Sequence, residues 1–321
     1  MDRKEIYLMI VTIAGCGALG GVIAAHLIRG GVSVQAFQRK GRTLEVLKEK
    51  GITLLSENGK TAPACPFTAV SDDPGDLLPT GLILVLVKAY QTGSISPLKG
   101  LLSPEGIVLT VQNGLGNAEK LCSIFGEKRV AAGITTYGGI RLSPGVVREG
   151  LQGSITFGPW SGGKTNRYQR IERLLADAGL RVVQVSDPRP LLWKKLSMNV
   201  MANPVFALTR MSVGQVANNP FALDLMKKVG REAVEAAARA GVIMDFQENW
   251  QFFMKNLDRA PDHKPSMLQD MEAGRKMEIE SILGSVLSQA SNEEDFPYTR
   301  SLYNLLSAID RTRGHYQKNP D

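Results

Sequence analysis

Tyr7-Leu8-Met9-Ile10-Val11-Thr12-Ile13-Ala14-Gly15-Cys16-Gly17-Ala18-Leu19-Gly20 carries the decision about the fold. Its first eight residues form an unbroken, largely apolar run rich in branched side chains, as expected of a strand covered on both faces in a parallel sheet. The six that follow read G-x-G-x-x-G. Ala18 to Arg29 continues as a helix stopped by Gly30-Gly31, and Val32 to Gln38 reads as a second strand, so the opening is a β-α-β unit. In that setting Gly15 permits the tight turn, Gly17 lets backbone approach a pyrophosphate, and Gly20 allows close packing of helix on strand. The helix N-terminus faces the negative charge. Cys16, Ala18 and Leu19 complete the expected cofactor loop.

Outward from this unit, apolar runs recur at Leu82 to Val87, Ile107 to Val111 and Val130 to Thr136, separated by turn-rich or helical stretches. The alternation predicts a doubly wound parallel sheet of Rossmann type. Gly138 to Gly158, split by Ser143-Pro144-Gly145 and Gly153, predicts a hairpin that extends the sheet. Tyr168 to Ala178 reads as a helix and Leu180 to Val185 as a last strand. After Asp187-Pro188-Arg189-Pro190 the pattern turns helical at Leu191 to Asn203, Phe221 to Gly241, Phe246 to Asn256 and Ser266 to Ala290. The expected class is therefore α/β, with a Rossmann domain over residues 1–186 and an all-helical C-terminal domain over 187–321, ending in a frayed tail after Arg313.

Composition sets the boundaries of function. The chain of 321 residues, with 43% hydrophobic and 21% charged residues and 33 glycines, suits a globular protein of two domains. Three widely spaced cysteines fit neither a disulfide framework nor a zinc site and suit a reducing, cytoplasmic setting. No metal is expected. The net charge of +7 comes from Lys and Arg scattered among acids, without an arginine-rich tract, so a surface that attracts anionic ligands is expected rather than a nucleic-acid partner. Ile6 to Ile28 has no Asp, Glu, Lys or Arg, yet its glycines interrupt it as strand, turn and helix require, and no membrane segment is expected.

The second strand ends in Phe37-Gln38-Arg39-Lys40. A carboxylate for the ribose hydroxyl of NAD is absent, and Arg39 offers the planar fork suited to a 2′-phosphate, which points to NADPH/NADP. Lys88 and Asn113 follow the next two strands, at the edge where such sheets bind ligands, although a surface lysine and an Asn-Gly turn read equally well. Lys195, Asn199 and Asn203 fall at i, i+4 and i+8 of a helix and lie close to one face. Asn disfavours helix interiors, so the two amides either contact a ligand or cap backbone where Pro204 bends the helix. Ser266 and Gln269 read as a capping box, which also makes an anion site. Glu278 lies among Met277, Ile279 and Ile282.

Taken together, these strings resemble the ketopantoate reductase family, NADPH-dependent 2-dehydropantoate 2-reductases of pantothenate synthesis. The likeness rests on the glycine loop at 15–20, Arg39, Lys88-Ala89, Gln112-Asn113-Gly114, Trp193 to Leu196 with Asn199 and Asn203-Pro204, and Ser266 to Asp270 with Glu278-Ile279. It implies that Lys195 is the general acid and that Asn199, Asn203 and Ser266 bind a small-molecule 2-oxo acid. It further implies that Lys88 and Asn113 line both cofactor and substrate, and that Glu278 contacts the cofactor or steadies the lysine. Lys194, about 100° around the helix, is expected to be dispensable. Two departures stand out: Val213 where the family carries Asn before Gly, and Leu283-Gly284 where it carries Asn-Gly. They leave the 2-oxo acid open between ketopantoate and a relative. A sensor that binds NADPH without turnover, and a homodimer, are both compatible with the sequence.

Overall fold

The computed structural model describes residues 9–150, 153–163, 166–259 and 264–316. Its contacts divide into two compact units. The first comprises the chain to Gln112 and Asn117–Pro188, and the second comprises Asn113–Gly116 and the chain from Arg189.

The first unit is built on an eight-stranded sheet. Its strands are β1 (Val11–Ala14), β2 (Val34–Phe37), β4 (Ala69–Ser71), β5 (Thr80–Val85), β6 (Leu102–Thr110), β7 (Val130–Thr135), β10 (Ile155–Pro159) and β11 (Val182–Gln184). The spatial order is β11-β10-β7-β6-β5-β1-β2-β4. Every pairing is parallel except β10 with β7. All four residues of β1 are buried, as its apolar run requires. The strand prediction also included Tyr7 and Leu8, which lie outside the described residues. One buried polar side chain in this core is fully used: Gln35, in β2, donates to Thr12 Oγ1 and Leu78 O and accepts from Leu78 N. Chain order reverses between β1 and β5, so their carboxyl ends form the switch point at which open α/β sheets bind ligands.

Helix α1 (Ala18–Arg29) follows β1, α2 (Arg42–Lys50) follows β2, and α3 (Asn117–Phe125) and α4 (Asn166–Asp177) complete the helical cover. The expected hairpin forms, as β8 (Gly139–Ser143) and β9 (Val146–Glu149), but it does not extend the main sheet. Instead β9 pairs in parallel with β3 (Thr53–Leu55), and a separate three-stranded sheet results. Gly21 explains the placement. A Cβ there would stand 2.8 Å from Val147 Cγ1 and 3.0 Å from Ile52 Cδ1, so the bare glycine on α1 is what seats the small sheet. His26 Nε2 and Glu149 Oε1, 2.7 Å apart, tie the same two elements.

The second unit is helical: α5 (Arg189–Thr209), α6 (Val213–Ala217), α7 (Pro220–Arg239), α8 (Phe246–Arg259), α9 (Ser266–Glu272), α10 (Ser285–Leu287) and α11 (Pro297–Tyr316). Three sequence expectations are corrected. Helix α5 runs through Pro204 for another five residues instead of ending near Asn203. Ser266 to Ala290 is not one helix: α9 stops at Glu272 ahead of Ala273-Gly274, with Gly274 at φ +63°, and a π turn spans Glu280–Gly284. The capping box is not at Ser266, because Pro265 takes the cap position and Gln269 Nε2 turns back to Lys264 O. A capping box does form at Ser212 and Gln215, opening α6.

Candidate functional site

In the first unit the glycine loop lies at the carboxyl end of β1. Gly15 has φ +96°, and a Cβ on it would meet the backbone N of Val87 at 2.9 Å. Lys88 is the next residue, so the loop after β5 begins directly beside the glycine turn. A Cβ on Gly20 would fall 2.0 Å from Gly15 O, which excludes any side chain there. Around Gly17 a Cβ would meet nothing within 4 Å, so the missing side chain leaves open space rather than relieving a clash. The first intrahelical bond of α1 runs from Gly21 N to Gly17 O. The amides of Ala18, Leu19 and Gly20 therefore lack helical acceptors, and the first turn carries neither acid nor side-chain cap. An open cradle with free N–H groups fits the pyrophosphate of a dinucleotide.

Cys16 plays a different part from its neighbours. Its side chain is buried, burial pushes the thiol up to about 12, and its backbone N–H donates to Gln38 Oε1 at 2.9 Å. It therefore offers a ligand neither thiolate nor amide. Arg39, exposed and just past β2, makes no hydrogen bond or ion pair among the described residues, whereas Lys40 lies 3.8 Å from Asp72. The loops after β5 and β6 are joined by a network the sequence reading missed. Gln112 Nε2 donates to Val87 O and Thr92 Oγ1, Gln112 Oε1 accepts from Thr110, and Thr92 donates to Asn117 Oδ1.

In the second unit the expected residues gather around α5, against which α9 and the π turn pack. Lys195 is half-buried. Desolvation pulls its ammonium from 10.5 to about 8, and the charge of buried Glu278 opposes the fall. Asn199 Nδ2 is buried without a hydrogen-bond partner. The side chain of Asn203, 3% exposed, has no partner among the described residues. Among the described residues neither amide caps backbone at Pro204, so the capping alternative fails. Ser266 stands at the first turn of α9, and its hydroxyl makes no hydrogen bond among the described residues. Asn113–Gly116 docks on the π turn: Leu115 N donates to Ser281 O at 3.0 Å, and a Cβ on Gly114 would fall 1.9 Å from that oxygen. Turns of π type recur at functional sites, and this one begins two residues after Glu278.

Both departures from the family pattern turn inward. Val213, 4% exposed, packs with Met201, Phe206 and Leu268, and Leu283, fully buried, packs with Ile282 and Val286. The sequence reading also missed Asn249, buried on α8, whose Nδ2 donates to Ser197 Oγ at 2.6 Å while its Oδ1 has no partner. Among the described residues no cluster of His, Cys, Asp and Glu could hold a metal ion, and no helix is long and apolar enough to cross a membrane.

The pattern of the ketopantoate reductase PanE/ApbA family matches residues 11–162, and that of its C-terminal domain matches 187–310. The chain belongs to the ketopantoate reductase family. Within that family of oxidoreductases, a 2-dehydropantoate 2-reductase of Archaeoglobus fulgidus is 30% identical, over 94% of this chain and 97% of its own. One of Halobacterium salinarum is 28% identical, over 94% and 99%. The solved 2-dehydropantoate 2-reductase of Geobacter metallireducens superposes with a TM-score of 0.85 at 27% identity, covering 94% of this chain and 99% of that one. A D-mandelate dehydrogenase solved with NADH and anilino(oxo)acetate shares the fold, with a TM-score of 0.88 at 21% identity over 95% and 100%.

Proposed function

We propose that the protein is an NADPH-dependent 2-dehydropantoate 2-reductase, which reduces ketopantoate to pantoate for pantothenate synthesis in the cytoplasm. In this reading residues 1–186 hold the cofactor and 187–321 hold the substrate. The observation that carries it is Lys195 on α5, against which α9 and the π turn pack and on which the charge of buried Glu278 acts: burial lowers its ammonium to about 8, and Glu278 opposes the fall.

Reduced nicotinamide, when bound, supplies the hydride that the carbonyl carbon gains. Lys195 gives its proton to the carbonyl oxygen, its positive charge stabilises the alkoxide as it develops, and the neutral amine regains a proton from solvent. Asn199 and Asn203 offer to the polar substituents of the acid amide groups that have no partner among the described residues. The Ser266 hydroxyl and the first-turn amides of α9 suit the carboxylate. On the cofactor side the chain offers the glycine loop, Arg39 for the 2′-phosphate, and Lys88 and Asn113 at strand ends.

The test is oxidation of NADPH with ketopantoate beside a panel of other 2-oxo acids, with NADH as control. Preferred turnover of ketopantoate with NADPH is expected. Preference for another 2-oxo acid would keep the chemistry and reassign the substrate, and tight NADPH binding without turnover on any acid would overturn the enzymatic reading.

A further inference from the structure

Position 38 is the first residue beyond β2, where Rossmann proteins that prefer NAD place a carboxylate to accept a hydrogen bond from the ribose 2′-hydroxyl. Here Gln38 is anchored on both sides. Its backbone N–H donates to Ser71 O on β4 at 2.9 Å, and its Oε1 accepts from the Cys16 N–H in the glycine loop at 2.9 Å. The second bond settles which way the amide faces. A backbone N–H can only donate, so the oxygen must face Cys16, and Nε2 is left on the other branch of the amide. That Nε2 donates to nothing among the described residues, and the side chain is only half-buried. Gln38 thus reproduces the strut that a carboxylate could also make, but its second branch is a donor where a carboxylate would present a charged acceptor. Arg39, the next residue, likewise makes no hydrogen bond or ion pair among the described residues.

We propose that Gln38 is a specificity-determining residue that selects a 2′-phosphorylated dinucleotide, acting with Arg39 through the amide group that the Cys16 bond orients. The proposal rests on the NADPH reading above and adds a mechanism to it. The donor favours an anionic 2′-phosphate. The glutamine also withholds the acceptor on which NAD-type recognition depends, so selectivity comes from an attractive and a missing contact together. Glutamate at this position keeps an oxygen for the Cys16 N–H and exchanges only the outer group, which makes Gln38→Glu close to a single-atom test. Gln38→Met removes both the strut and the donor.

The experiment is calorimetric titration of the intact protein and the two variants with adenosine 2′,5′-bisphosphate and with AMP, followed by NADPH and NADH. Binding is read directly, without turnover. For Gln38→Glu the affinity for the bisphosphate should fall roughly 10- to 100-fold, the worth of a charge-assisted hydrogen bond, while AMP changes little. For Gln38→Met both ligands should weaken, because the loop loses its strut, and the bisphosphate should weaken more. An unchanged bisphosphate-to-AMP ratio in Gln38→Glu would overturn the proposal. If Gln38→Glu does not fold, equal weakening of the two ligands in Gln38→Met overturns it instead, leaving Gln38 a strut alone. A wild-type protein with no preference for the bisphosphate over AMP would defeat the NADPH reading itself, a result separate from either variant outcome.

Discussion

The alkaline limb of the pH–rate profile should lie near pH 8 and should move when Glu278 is neutralised. Lys195 falls from 10.5 to about 8 chiefly through desolvation, with Glu278 holding it up. The ammonium fraction is then one half near pH 8 and drops about tenfold per unit above it, so kcat should fall with unit slope there. A solvated lysine would keep the rate flat for about two further units. In Glu278→Gln the opposing charge is gone and the limb should move to lower pH. The same depression is a statement about stability: a fall from 10.5 to about 8 corresponds to about 3 kcal/mol, an order-of-magnitude cost of burying the charge at neutral pH. Because the folded value lies below the unfolded one, that cost is fully present below about pH 8 and is relieved as pH rises toward 10.5. Stability should therefore rise across that window in urea titrations of the wild type. Lys195→Met should abolish this rise together with most of the turnover. Steady-state kinetics and denaturation from pH 6 to about 10.5 provide the readouts. A limb above pH 10, or one that Glu278→Gln leaves in place, would refute the assignment of Lys195 as the titrating acid.

Arg39→Ala should weaken NADPH by about tenfold or more and leave NADH nearly unchanged in fluorescence titrations, since the exposed guanidinium has no partner to lose among the described residues. Glu232 is buried and accepts from Tyr298 N, Thr299 N and Thr299 Oγ1 at the start of α11, so Glu232→Ala should cost about 2–4 kcal/mol in urea denaturation. Gly114→Ala would bring a Cβ to 1.9 Å from Ser281 O at a φ of +81°, and a marked loss of turnover measured beside thermal stability is expected. Lys194 is exposed and lies over the Phe252 ring at 4.7 Å, so Lys194→Ala should retain near-wild-type kcat/KM.

How far the sequence is legible follows from the range of the forces involved. The glycine loop could be read because each of its positions obeys a local rule: a positive φ at Gly15, open space at Gly17 and contact with the preceding turn at Gly20. Lys195, Asn199 and Asn203 could be placed on one helical face by their spacing alone. The helix start at Ser266 was legible, but the ends placed at Asn203 and Ala290 were misjudged because propensity is a weak prior that tertiary packing overrides. Gln112, Asn249 and Gln38 were not singled out as structural partners, since their significance lies in hydrogen bonds to residues distant along the chain.

By itself the sequence determined the β-α-β opening, the switch to helices near Asp187 and the residue types available for nucleotide and proton chemistry. Those features depend on period, turn chemistry and charge, which act over a few residues. Only the tertiary structure decided that the hairpin leaves the main sheet, because that outcome depends on Gly21 admitting Val147 and Ile52. It likewise decided that Val213 and Leu283 turn inward and that Gln38 faces its oxygen to Cys16. It also decided that Lys195 holds its proton near 8, because desolvation depends on everything packed around an atom and not on its neighbours in sequence.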